Sequence, residues 1–248
     1  MPAPQTPAQF IAKWSKASGS ERANYQLFIT GLCDLIGVDQ PDPARDDTRD
    51  NAYVFERRVQ FAHGDGGESL GFIDCFKRGA FVLEAKKIKA ATSTASRTFD
   101  SAMLRARGQG EQYARALPAE EGRPPFVIVV DVGRAIELYA EFSRTGATYT
   151  PFPDPQTHRI LLDDLAKVEV RDRLALIWRE PQALDPTRAS ARVTREVAAH
   201  LAEVAKSLEA AGHEAQKVAG FLTRCLFSMF AEDVGLLPKR ASPVRAAA

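Results

Sequence analysis

The run FVIVVDV, residues 126–132, limits the possible folds of this chain more than any other stretch. A continuous apolar segment of this length is expected of a central strand with neighbours on each side. Candidates for those neighbours lie close by. YVFERRVQF (53–61) alternates in part, SLGFIDCFK (69–77) is richer in apolar residues, and AFVLEAKK (80–87) completes a meander. The connectors AHGDGGE and RG are turn-like. After a turn at Gly133 and Arg134, AIELYAEF (135–142) alternates again. Between meander and central strand, residues 98–117 read as a helix, although two glycines each weaken it by about 1 kcal/mol relative to alanine. Upstream, residues 18–37 read as a helix with capping-box spacing at Ser18 and Glu21 and an apolar series Phe28, Leu32, Leu35, Ile36. The order helix, three-strand meander, helix, strand, strand predicts an α/β (α+β) domain. A proline-rich stretch (149–160), a helix around DRLALIWRE and a linker PQALDPTRAS follow, and the chain then turns purely helical. The expected division is a domain over 1–185 and a helical connector over 186–248.

Composition narrows the class. Apolar residues are 45% and charged residues 26% of the 248, as in ordinary globular proteins. A formal net charge of +1 leaves no global basic field, so any nucleic-acid contact must come from a local patch. Three scattered cysteines give neither a disulfide framework nor zinc spacing. The N-terminus lacks the basic start and apolar core of a secretory leader. The apolar stretch VAGFLTRCLFSMFA is too short to span a bilayer and contains Arg224. The expectation is a cytoplasmic protein with no membrane association.

The candidate chemistry lies in FIDCFKRGAFVLEAKK (72–87), where Asp74, Glu84 and Lys86 interrupt an otherwise apolar hairpin. Buried charge is costly unless paired or metal-bound. Glu84 and Lys86 share one strand face. A two-residue turn would set Asp74 opposite Leu83, on the wrong face. Only an odd-length loop or a bulge brings Asp74 to Glu84. Two carboxylates there make a hard, oxygen-rich site suited to Mg²⁺, with a lysine placed to act on a water. The same three groups could instead form an ion pair on a solvated face, and the residues alone leave both readings open. Between Lys77 and Arg115 nine basic and three acidic residues give a local +6. In GQGEQYA, Gln109 and Tyr113 are one helical turn apart, and Gly108 and Gly110 would let a backbone or phosphate approach.

An aspartate in one strand, E-x-K in the next and Q-x-x-x-Y in the following helix resemble the PD-(D/E)xK nuclease superfamily in its RecB-like form. Ile73 stands where that superfamily often has proline. The blocks YVFERRV, GFIDCFKRGAFVLEAKK, MLRARGQGEQYARALP, RPPFVIVVDVG, ARVTREVA and FLTRCLFSMFAEDVGLLP together resemble the N-terminal region of MmeI-like restriction–modification enzymes of type IIG/IIL. The resemblance implies a restriction-endonuclease-like core and a Mg²⁺-dependent DNA endonuclease in restriction or phage defence. It implies that Asp74 and Glu84 bind the metal, that Lys86 assists the water, and that Gln109 and Tyr113 support the site or contact DNA. Lys87, Lys89, Arg105 and Arg107 are candidate contacts to double-stranded DNA, and Glu21 and Glu56 are candidate additional carboxylates. In such enzymes a helical spacer leads to an adenine methyltransferase using S-adenosylmethionine and to a target-recognition unit. This sequence has neither the Gly-rich cofactor loop nor the Asn-Pro-Pro-aromatic clamp, and RPPF (123–126) has Arg123 where the clamp needs Asn. The expectation is therefore that specificity comes from a methyltransferase and recognition unit in cis or trans, and that residues 186–248 begin a truncated spacer.

Other motifs carry less. His63, His158, His200 and His213 share no ligand spacing, Asp131 ends a strand as a turn former does, and GDGGE lacks the strand-to-helix setting of a phosphate loop. A second class of function stays open beside the nuclease: a non-catalytic DNA-binding or assembly module of a methyltransferase-containing defence protein.

Overall fold

The computed structural model describes residues 5–17, 21–62, 67–89, 92–233 and 236. The expected capping serine, Ser18, lies outside them. The chain divides into two compact units between Asp185 and Pro186. The first is a sheet with helices on both faces, the α+β arrangement read from the sequence. Its strands are β1 (Tyr53–Ala62), β2 (Glu68–Lys77), β3 (Phe81–Lys86), β4 (Phe126–Asp131), β5 (Ala135–Ala140), β6 (Thr150–Pro151) and β7 (Arg159–Leu161). Neighbours run β1-β2-β3-β4-β5-β6, with β7 also on β5. The β3–β4 pair is parallel and the others are antiparallel. A parallel pair needs a long crossover, and α3 (Arg97–Ala116) supplies it.

Alternation along β3 and β4 explains the two layers. Phe81, Leu83, Ala85, Phe126, Ile128 and Val130 face one core, with α1 (Pro7–Trp14), α2 (Glu21–Ile36) and α4 (Val168–Arg179) packed on it. Val82, Val127 and Val129 face the other, under α3. FVIVVD is apolar throughout because β4 is buried on both faces. The expected α2 series holds: Phe28, Leu32 and Ile36 are buried and Leu35 packs against them. Each such side chain contributes about 1.5–3 kcal/mol. At the centre of this layer Trp178 donates its indole N–H to the Tyr53 hydroxyl at 2.8 Å, and Cys33 Sγ lies 3.3 Å from the same oxygen. All three cysteines are free thiols, and burial pushes Cys33 up to about 11.

In the proline-rich stretch, to which the sequence assigned no element, β6 and the start of β7 both pair with β5. Segments of two and three residues are too short for any alternation to show. The expected linker PQALDPTRAS contains the division at Asp185, and it is structured. Residues Pro181–Leu184 make a 3-10 turn and α5 (Pro186–Ala210) starts at once. Proline is tolerated in a first helical turn because its missing N–H is an orphan there. The helix α1 is an element that the sequence reading did not assign. Thr6 and Gln9 close a capping box around it, and Pro7 opens it. In the second unit α5 and α6 (Ala215–Asp233) pack together through the turn at Gly212.

Candidate active site

The β2–β3 turn holds three residues, Arg78, Gly79 and Ala80, between paired Lys77 and Phe81. Gly79 takes the left-handed backbone this turn requires, at φ 71°. The loop is therefore odd in length, as the nuclease reading needs. Were its register to continue past Cys75–Leu83, Asp74 would lie across from Glu84. The regular ladder stops at Cys75–Leu83, although both strands run on. Asp74 spans the opening: its Oδ2 accepts the N–H of Ala85 at 2.7 Å.

The β1–β2 ladder is interrupted at the same level, where Glu56 would pair with Asp74. Glu56 has φ 50°, the left-handed region that costs a non-glycine residue about 1–3 kcal/mol. The ribbon turns over there. Tyr53, Phe55 and Cys75 face the α2 side, whereas Val59, Phe61 and Ile73 face α3. The turn-over carries the Glu56 carboxylate to α2, where Tyr25 donates a hydrogen bond to it. Burial first, then Glu56 and the charge of Asp74, hold the Tyr25 phenol well above its usual range. Glu56 thus sits beside the candidate site with its carboxylate engaged by Tyr25. Glu21 opens α2, and its side chain lies outside the described residues.

Glu84 is 2% exposed, and its Oε1 accepts from Lys86 Nζ at 2.6 Å. Lys86 is half-buried and reaches a cleft of about 600 Å³ between the β3–α3 connection and α3. Lys87, Lys89, Thr92, Thr98, Arg105 and Gln109 also line it. Gln109 Nε2 donates to the Tyr113 hydroxyl at 3.0 Å, so the Q-x-x-x-Y pair is one bonded unit. Tyr113 packs on Phe61 of the turned ribbon. A Cβ on Gly71 would lie 2.6 Å from its ring. The two helical glycines differ. Gly110 lets α3 meet the sheet, since a Cβ there would come within 2.8 Å of Val127. Gly108 has no neighbour within 4 Å.

The four basic candidates separate as well. Lys87 Nζ donates to the carbonyls of Ala17 (3.1 Å) and Val132 (2.8 Å). Arg107 bonds Glu111 and the Tyr149 carbonyl and lies over the Tyr139 ring. Lys89 and Arg105 are exposed at the cleft. Arg115, part of the +6 count, is held by Glu111 and the carbonyls of Gly146 and Ala147. The sequence missed the part played by Asp131: it is fully buried and accepts the N–H of Ile88 at 2.9 Å, fastening the lysine-bearing connection. Among the described residues no three His, Cys, Asp or Glu side chains gather as a metal centre. The donor set Asp74 plus Glu84 is oxygen-only, and it fits a hard cation that keeps water or phosphate ligands.

Neither the curated proteins nor the solved structures contain a match to this chain. One family model does match, that of the MmeI N-terminal domain, a region of restriction–modification enzymes, over residues 5–211. That span passes the division at Asp185 and closes at the end of α5. With most of its length matched, the chain belongs to the MmeI N-terminal domain family.

Proposed function

We propose that this chain is a Mg²⁺-dependent DNA endonuclease domain that hydrolyses phosphodiester bonds. The observation that carries the reading is the Glu84–Lys86 contact beside a cleft with Lys89 and Arg105 at its edge, with Asp74 of the neighbouring strand bonded to the Ala85 N–H between them. Asp74 is tied to Ala85 where the ladder opens, between Glu84 and Lys86 in sequence, and Gln109 of the bonded Gln109–Tyr113 pair lines the same cleft as Lys86.

In this reading Asp74 and Glu84 hold the cation. When bound, it would supply Lewis-acid stabilisation of the charge that builds on the phosphate. Lys86, steered by Glu84, hydrogen-bonds and orients the attacking water. Gln109 stands at the cleft wall with Tyr113 fixing its amide, in place to contact the DNA backbone. Lys89 and Arg105 hold flanking phosphates.

The test is cleavage and binding by single variants. Asp74→Ala, Glu84→Ala and Lys86→Ala should each abolish nicking with Mg²⁺. DNA affinity should be largely kept, because phosphate contacts lie mainly elsewhere. Mn²⁺ binding followed by calorimetry should vanish in the two carboxylate variants and persist in Lys86→Ala. Undiminished metal-dependent cutting by Glu84→Ala would sink the reading. A second reading, a non-catalytic DNA-binding or assembly module, is favoured by one contact. Glu84 and Lys86 pair with each other at 2.6 Å, as an ion pair on a structural face would. Duplex binding with neither Mn²⁺ uptake nor nicking would select it.

A further inference from the structure

The segment from Lys87 to Ser96, between β3 and α3, brings Lys89 and Thr92 to the cleft. Its backbone is gripped by two arginines, one from the β4–β5 turn and one from β7. Arg134, in the β4–β5 turn, donates to the carbonyls of Lys89 (3.3 Å) and Thr92. Arg159, on β7, donates to the carbonyl of Thr94 at 2.8 Å. Acidic partners steer each guanidinium. Asp131 lies 3.4 Å from Arg134, while Glu137 and Asp100 each bond Arg159 at 2.6 Å. Between the two lies Phe99, fully buried in the first turn of α3, with the guanidinium carbons 5.2 and 5.1 Å from its ring centroid. Asp131 also takes the N–H of Ile88, so one carboxylate ties the segment both directly and through Arg134.

We propose that Arg134 and Arg159 are positioning residues that set the Lys89 edge of the cleft for DNA phosphate. The inference rests on the DNA-binding part of the proposed function. A planar guanidinium presents several donors in a fixed fork, so Arg134 takes the two carbonyls from two nitrogens held at a set spacing, where a lysine would bring one nitrogen on a flexible stem. The carbonyls it takes belong to Lys89 itself and to Thr92, which brackets the connection. Holding the Lys89 carbonyl fixes where the Lys89 side chain starts. The ring of Phe99 keeps the two arginines at a set spacing, and it couples the grip to the first turn of α3. Neither arginine needs to touch the nucleic acid for the effect.

The experiment is a double-mutant cycle on the full chain, read as affinity for a short duplex DNA in Ca²⁺ over a range of salt. Lys89→Ala should lower affinity and reduce the salt slope by about 1, as loss of one phosphate contact does. Arg134→Gln should match that loss, and the double variant should be no worse than either single change. Arg134→Lys keeps the charge but not the fork, and it should also match. Arg159→Lys, which keeps a cation beside Glu137 and Asp100 but loses the fork, carries the same comparison if Arg134→Gln fails to fold. Amide exchange at Ile88, Lys89 and Thr92 should quicken in each arginine variant. Additive losses would mean that Arg134 contacts phosphate directly, and parent-like affinity or parent-like exchange would mean that the grip sets nothing. Either result overturns the proposal. A parent chain with no duplex affinity would overturn the DNA reading and this inference together, whereas a binding parent with unaltered arginine variants overturns this inference alone.

Discussion

Lys87 turns its ammonium inward, onto the carbonyls of Ala17 and Val132, whereas Lys89, two residues on, stands exposed at the cleft. In sequence both are simply lysines of a basic run. Lys87→Met should destabilise the fold by about 1.5–3 kcal/mol, the usual loss for hydrogen bonds made by a charged group. DNA affinity measured below the unfolding transition should stay near that of the parent. Lys89→Ala should do the reverse, leaving denaturant unfolding unchanged and weakening DNA binding more at low salt than at high. Equal stability losses in the two variants would contradict the assignment. The same sorting removes Arg107 and Arg115 from the patch, since both are committed to Glu111 and to backbone carbonyls. A charge count cannot see this. It weighs every guanidinium alike, whether it faces water or a carbonyl forty residues away.

At the scale of elements, α3 and the meander decide whether the candidate site assembles. Gly110→Ala would drive a Cβ to 2.8 Å from Val127 Cγ1, on a helix packed flat against β3 and β4. It should cost about 1–3 kcal/mol, the range for overpacking a filled interface. Because Gln109 is the next residue, Gly110→Ala should also impair whatever the cleft does. Gly108→Ala meets nothing within 4 Å and should stabilise by up to about 1 kcal/mol through helix propensity. Chemical denaturation of the pair checks both signs. These elements were largely legible: the strands, α3 and the buried face of α2 follow from alternation and helical spacing. The odd-length turn could be stated only as a condition. Ala80 is apolar and reads as strand, and its place in the turn shows only once Lys77 is seen to pair with Phe81. The turn-over of β1 and β2 at Glu56 and Asp74 was not legible, because FERR has no glycine to announce a left-handed residue. Arg57 is the consequence. It is 1% exposed and paired with Glu121, while its neighbour Arg58 faces solvent.

For the whole molecule, the question is how much of a restriction activity these residues can carry. Under the proposed function the cleft offers Lys86, Lys89, Arg105, two threonines and one glutamine. Cations and hydroxyls of this kind hold a phosphate backbone and carry no sequence information, which is read from base edges in the grooves. The second unit adds α5 and α6, whose exposed side chains include Val193, Val197, Phe221, Phe227 and Phe230. Apolar helix faces of this kind suit a protein surface and cannot read a duplex. The local charge that survives the sorting is also small, so few counterions are released on binding, and affinity should be modest and fall with salt along a shallow slope. The expected behaviour of the 248-residue chain on a long DNA of random sequence, with Mg²⁺, is slow nicking without preference, seen as a smear that fades as salt rises. Adding a methyltransferase and recognition unit, fused or as a partner, should convert the smear into discrete bands, with Glu84→Ala abolishing both. Discrete, reproducible fragments from the chain alone would show that it reads bases itself, and the assignment of its basic groups to the phosphate backbone would then be wrong.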